Sequence, residues 1–262
     1  MTGLDVYPNA RFGGVATSPI EGEILQIRRV KAPKSQLFED AGHDTLTLIK
    51  SKNNPEKVIK ILHIDTFGEE GDTLRIGQNL GILIRSGYFG FQTPPHIHLE
   101  VRPARDPLRV KGGCYIESLL NLNNIKIVEN LKGIVVESQP NYAQIRLADI
   151  NSSGVTADIG GIPGLLDGGI PLYGWFGAHI PRTPKDSTIR LLGKTIGTIT
   201  NVNNQTCIAK CTEFRIKVED VPVNIFFLLK PDERPTLTIT SRTPGGIHFQ
   251  ESDEVALSIE QP

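Results

Sequence analysis

The sequence predicts an all-β protein of two domains, and three observations carry that expectation. Short apolar stretches rich in Val, Ile and Thr recur along the chain, and these residues suit a pleated, half-buried surface. The 26 Gly and 18 Pro are scattered between those stretches, where they act as turn signals. At 262 residues the chain is long enough for one large domain or two of ordinary size, and two is the better fit.

In the first half the strand candidates are Glu23 to Val30, Thr45 to Lys50, Val58 to Ile64, Leu80 to Ile84 and Ile97 to Val101. Each is bounded by Gly, Pro, Asn or charged residues, and most are too short for a helix. Lys31 to Asp44 is polar and reads as a loop or a single helical turn. Gly87 to Pro95 (GYFGFQTPP) is an aromatic and glycine loop that delivers into a strand, a common place for a site. Tyr115 to Leu122 has apolar residues at helical spacing and is followed by a polar stretch. The expected domains are therefore 1–122 and 127–262.

The second half is also expected to be rich in strands: Ile134 to Val136, Ala143 to Leu147, Ile196 to Val202, Phe214 to Val218, Val223 to Leu229 and Thr236 to Thr240. Between them Ile159 to Ile170 (IGGIPGLLDGGI) has glycine at a density that marks tight turns and close backbone approach. A phosphate-binding loop is the functional alternative, but neither GxxxxGK[ST] nor GxGxxG is present. His179 and His248, in glycine and proline contexts, read as surface or turn residues.

Lys plus Arg number 28 against 29 Asp plus Glu. This balance gives no electrostatic reason to expect nucleic acid or an anionic membrane as partner. A small or neutral ligand is expected instead, and the Lys and Arg residues read as a solvated face. The three cysteines, Cys114, Cys207 and Cys211, are an odd number in a chain too large to depend on disulfides, which fits a reducing compartment. The C-x3-C pair reads as structural or as a local disulfide. No basic start followed by an apolar run is present, nor any segment of the roughly 18 apolar residues needed to span a bilayer. The expectation is a soluble cytoplasmic protein, with a homo-oligomer compatible with these features.

The chemistry lies in Pro94 to Pro103, PPHIHLEVRP. His96 and His98 flank Ile97, so on a strand their imidazoles point to one face and can meet one ion or one substrate. His63 lies upstream in ILHID, in the middle of an apolar strand candidate. Taken alone, His96 and His98 read first as strand-end histidines bonded to backbone, and His63 as a satisfied core residue.

The N-terminal half of the chain, most specifically the run from His63 to Arg102, resembles the lysostaphin-type (M23) zinc peptidase family. That family follows a strand-end histidine with "v..G..V..GQ.IG..G.tG.stgPHLHFE.R", and this chain has Gly71, Gly77, Gln78, Gly81, Gly87, Pro95, His96, His98, Glu100 and Arg102 in that order. The resemblance implies an antiparallel β-sheet domain of the duplicated hybrid motif type, followed here by a second β-rich domain. It also implies His98 as a zinc ligand, with His63 and His96 as the catalytic histidines that act on water and on the tetrahedral intermediate. Zinc in such a site lowers the pKa of bound water to roughly 7 and polarises the carbonyl.

The family's remaining ligands come from H-x-G-x-D. Here the chain reads M-T-G-L-D, with Gly3, Pro8, Gly14, Val15, Gly22 and Ile24 following the family pattern. Asp5 is thus implied as a metal ligand, while Met1 stands where a histidine is expected. A third ligand would have to come from the N-terminal amine, His43 or a partner chain. The resemblance leaves two functions open. One is a zinc-dependent peptide amide hydrolase with an impaired metal site; the other is an inactive module that binds a peptide or protein ligand, or acts as a scaffold.

Overall fold

The computed structural model describes residues 3–52, 54–109, 112–117, 119–148, 150, 152–229 and 235–262. Among them the regular structure is entirely β, and no helix is long and apolar enough to cross a membrane. The chain divides into two compact units, Met1–Ser118 and Leu119–Pro262, where the sequence placed the division between 122 and 127. The helix expected over Tyr115 to Leu122 is absent from the described residues of that stretch. Two turns of helix are marginal without a surface to pack against.

The first unit is built from β1 (Leu4–Val6), β2 (Val15–Thr17), β3 (Gly22–Lys31), β4 (His43–Ser51), β5 (Lys57–Leu62), β6 (Ile64–Thr66), β7 (Thr73–Leu74), β8 (Asn79–Leu83) and β9 (Ile97–Pro103). They form a six-stranded sheet in the order β1-β9-β5-β4-β3-β7 and a three-stranded sheet in the order β2-β8-β6. Ile24, Ile49, Ile61 and Ile97 from the larger sheet pack with Ala16, Ile64, Leu80 and Leu83 from the smaller one. Each fully buried Ile or Leu contributes about 1.5–3 kcal/mol.

This core fixes which way β9 faces. Ile97 and Leu99 are buried, so alternation turns His98, Glu100 and Arg102 to the opposite face. The register sets Asp5 beside His98 and Lys60 beside Glu100, which makes that face a polar one.

The strand expected from Val58 to Ile64 is interrupted. His63 has φ 72°, a left-handed conformation in which an L residue cannot continue a strand. It stands where the chain leaves the six-stranded sheet at Leu62 and enters the three-stranded sheet at Ile64. The short strands β1, β2 and β7 escape sequence reading because two or three residues carry no alternation, and only their partners make them strands.

The second unit begins with β10 (Leu131–Gln139), β11 (Tyr142–Leu147), β12 (Thr156–Ile159), β13 (Pro163–Ile170), β14 (Trp175–His179) and β15 (Thr188–Leu191). It continues with β16 (Lys194–Asn203), β17 (Thr206–Cys211), β18 (Arg215–Val218), β19 (Val221–Phe227), β20 (Thr236–Ser241) and β21 (Glu254–Glu260). The antiparallel pairings close into two rings of six. One runs β12-β15-β16-β17-β14-β13 and back to β12. The other runs β19-β18-β21-β10-β11-β20 and back to β19. Closure of this kind removes open sheet edges.

β13 belongs to both neighbourhoods. Leu165–Asp167 pair with β14, and Gly168–Ile170 pair with β19. The glycine-dense segment expected to be turns is therefore a turn at Gly160 and Gly161, both at positive φ, followed by a strand. Its later glycines make room: a Cβ on Gly169 would lie 2.6 Å from the Phe226 ring.

Three further expectations are corrected here. All three cysteines are free; Cys207 and Cys211 lie four residues apart on β17, about 13 Å along a strand and beyond disulfide reach. Burial pushes both thiols up to about 11. His179 is buried on β14 rather than at the surface, with Nε2 3.0 Å from Asp167 Oδ2. The basic residues are not all solvated, since Lys60 and Arg102 are 5% and 2% exposed.

Candidate functional site

His63, His96, His98 and Asp5 come together on the first unit. His96 and His98 arrive at the start of β9, Asp5 from β1 alongside it, and His63 from the break between β5 and β6. The His63 ring centroid lies 5.2 Å from that of His96 and 6.2 Å from that of His98. Gly3 allows the approach of β1, since a Cβ there would lie 2.9 Å from His98 Cε1 and 3.1 Å from Nε2.

His98 is held at both nitrogens. Nδ1–H donates to Asp5 Oδ1 at 2.7 Å and Nε2–H to Glu100 Oε1 at 3.2 Å. A ring that donates twice is an imidazolium. The bond to Asp5 raises the His98 pKa, burial works against it, and the Asp5 and Glu100 charges add to the rise. Burial raises the Asp5 carboxyl, but the His98 hydrogen bond and the three imidazoles outweigh it and hold it below its usual value.

Behind His98, Glu100 Oε2 takes Lys60 Nζ at 2.9 Å and Arg102 Nε–H at 2.6 Å. Burial raises the Glu100 carboxyl, and these two cations more than reverse the effect. A carboxylate kept ionised in this way can orient the His98 ring.

His96 is buried and donates Nδ1–H to the Pro94 carbonyl at 3.0 Å, which leaves Nε2 as an acceptor 3.8 Å from Asp5 Oδ1. Burial lowers its pKa, and the opposing Asp5 charge does not restore it. Phe89, from the aromatic loop, stacks on the His96 ring at 4.9 Å and meets the His63 ring edge-on at 4.5 Å. Tyr7 lies 5.6 Å from the other member of that stack, His96. The loop is fixed where Gly87 passes the Pro33 carbonyl, which a Cβ would strike.

Sequence reading missed Asp44, which is 2% exposed and binds His63 through both oxygens. Nineteen positions separate the two, so no local spacing could have revealed the pair. Glu100 and Arg102 stood in the motif without a role, and Lys60 carried no signal. His43 is no part of the cluster: its Nε2 lies 3.0 Å from both Asp65 oxygens and its Nδ1 2.8 Å from the Ala41 carbonyl.

The donors available for zinc can be judged by geometry. Two ligands of a tetrahedral ion at about 2.0–2.1 Å stand about 3.3 Å apart, whereas Asp5 Oδ1 and His98 Nδ1 are 2.7 Å apart, a hydrogen-bond distance. Among the described residues no group of three or more His, Cys, Asp or Glu side chains is arranged to hold a metal ion. Met1 lies outside the described residues. The donors described fall one short of the three of a catalytic zinc centre.

The fold and the cluster define an all-β protein with an oriented imidazole and carboxylate site on its N-terminal unit. Residues 1–118 match the family model described as "Domain of unknown function (DUF8155) N-terminal domain". No curated protein and no solved structure matches the chain.

Proposed function

We propose that the N-terminal unit is an M23-peptidase-like domain that binds a peptide-type ligand at His63, His96, His98 and Asp5 without a complete catalytic zinc centre. The observation that carries this reading is the engagement of His98 at both nitrogens by Asp5 and Glu100. At Nδ1 a metal ion would have to displace the 2.7 Å contact with Asp5. His63 and His96 keep their ring nitrogens directed by Asp44 and by the Pro94 carbonyl, so polar groups of fixed orientation remain for a ligand to meet.

A second reading, zinc-dependent hydrolysis of a peptide amide, has one observation in its favour. Glu100 accepts from His98 Nε2, as carboxylates do beside metal-bound histidines. It requires Asp5 and His98 as ligands and a third from outside the described residues, with His63 and His96 as the catalytic histidines.

Elemental analysis of untagged protein purified without chelator, beside His98→Ala, separates the two. The binding reading expects substoichiometric zinc in both proteins, and oligopeptide binding by calorimetry that weakens in His63→Ala and His96→Ala. Near-stoichiometric zinc lost in His98→Ala, together with peptide cleavage, would overturn it in favour of the hydrolase.

A further inference from the structure

Asp44 is the second residue of β4 and is buried, yet it is matched to one residue in two different ways. Its Oδ1 accepts the His63 backbone N–H at 3.0 Å, and its Oδ2 accepts the His63 ring at Nδ1, 2.7 Å away. Oδ1 also takes the Thr45 N–H at 2.8 Å, and the buried Ser86 side chain bonds the same carboxyl. Burial raises the Asp44 carboxyl, but the bonds from His63 and Ser86 and the His63 charge hold it below its usual value.

The two bonds act on different freedoms of His63. The backbone bond holds the left-handed turn at φ 72°, which removes His63 from the strand ladder and swings it out at the junction of the two sheets. The ring bond selects a tautomer: an ionised carboxylate at Nδ1 demands a proton there, so Nε2 keeps its lone pair. Phe89 packed edge-on at 4.5 Å and His96 at 5.2 Å restrict rotation of the ring.

We propose that Asp44 is a positioning residue of this site, holding His63 as the Nδ1–H tautomer so that Nε2 accepts a hydrogen bond from the ligand. The ligand group that His63 meets is then a donor: an amide N–H, a hydroxyl or a water. The assignment rests on the reading above only in taking His63 as part of the ligand site. The logic is that of the carboxylate behind the histidine in Ser-His-Asp triads, where the Asn variant keeps the geometry and gives the wrong tautomer.

The test is long-range proton–nitrogen correlation NMR of the full chain labelled with nitrogen-15, at a pH where the His63 ring is neutral. The wild type is expected to show a protonated Nδ1 and an unprotonated Nε2. Asp44→Asn, whose amide nitrogen can donate toward the ring, is expected to reverse the two. A wild-type Nε2–H tautomer overturns the assignment by itself, whether or not the variant folds. So does an Asp44→Asn chain in which His63 keeps Nδ1–H. A protein with the expected tautomer and no affinity for peptides upholds the role of Asp44 and rejects the peptide-binding reading, so the two failures are distinguishable.

Discussion

Asp5 and His98 face each other across β1 and β9, and Oδ1 of the first lies 2.7 Å from Nδ1 of the second. A cross-strand pair that is also a charge-assisted hydrogen bond ties a three-residue edge strand to the sheet. It gathers the site, since without β1 in place Asp5 would not reach the imidazoles.

That pair predicts a window of stability in pH. The His98 pKa is raised above its ordinary 6.5, so its contribution is full below that value and is lost as pH rises through the folded-state pKa. The Asp5 pKa is lowered below its ordinary 3.8, so its contribution is full above that value and is lost as pH falls through the folded-state pKa. The pair is at full strength between about 3.8 and 6.5. Melting temperature measured against pH should show His98→Ala losing most within that window; an equal loss above the raised His98 pKa would refute the assignment. The side chain of Asp5 is 44% exposed, so the effect should be modest, about 1 kcal/mol or less.

Glu100→Ala should be the costly change on this face. It removes the carboxylate shared by Lys60 and Arg102, which are nearly inaccessible to water. Breaking a buried pair in this way costs about 3–5 kcal/mol. Denaturant unfolding would measure it, and a loss no larger than that of a surface pair would mean that the two cations relax into solvent.

Phe89→Ala should change the titration of His96 more than the fold. Phe89 stacks on the His96 ring, and burial is the main reason that the His96 pKa lies below its ordinary value. Admitting water should move that pKa upward, while truncation of this half-buried aromatic should cost less than the roughly 3–5 kcal/mol of a Phe→Ala change in a core. An NMR titration of the His96 ring protons checks this. No movement would place the source of the burial elsewhere, with Tyr7 the next candidate.

The sequence by itself determined the all-β class, through Val, Ile and Thr stretches set between Gly and Pro. It also picked out the four residues His63, His96, His98 and Asp5 that the fold brings to one place. Strand alternation, which is local, placed His96 and His98 on one face; His63 and Asp5 were singled out only through the resemblance to the peptidase family's pattern. It could not foresee that the Val58 to Ile64 run breaks at His63, because the carboxylate that stabilises the break comes from Asp44 on another strand. Nor could it foresee the shortest strands, which are strands only by their partners' hydrogen bonds, or the two rings of six, which depend on strands far apart in the sequence pairing, as β10 does with β21 and β11 with β20. Tertiary structure alone decided how each imidazole is held, since protonation and tautomer depend on which acceptor lies within about 3 Å. Those acceptors, Asp5, Asp44, Glu100 and the Pro94 carbonyl, are assembled by folding.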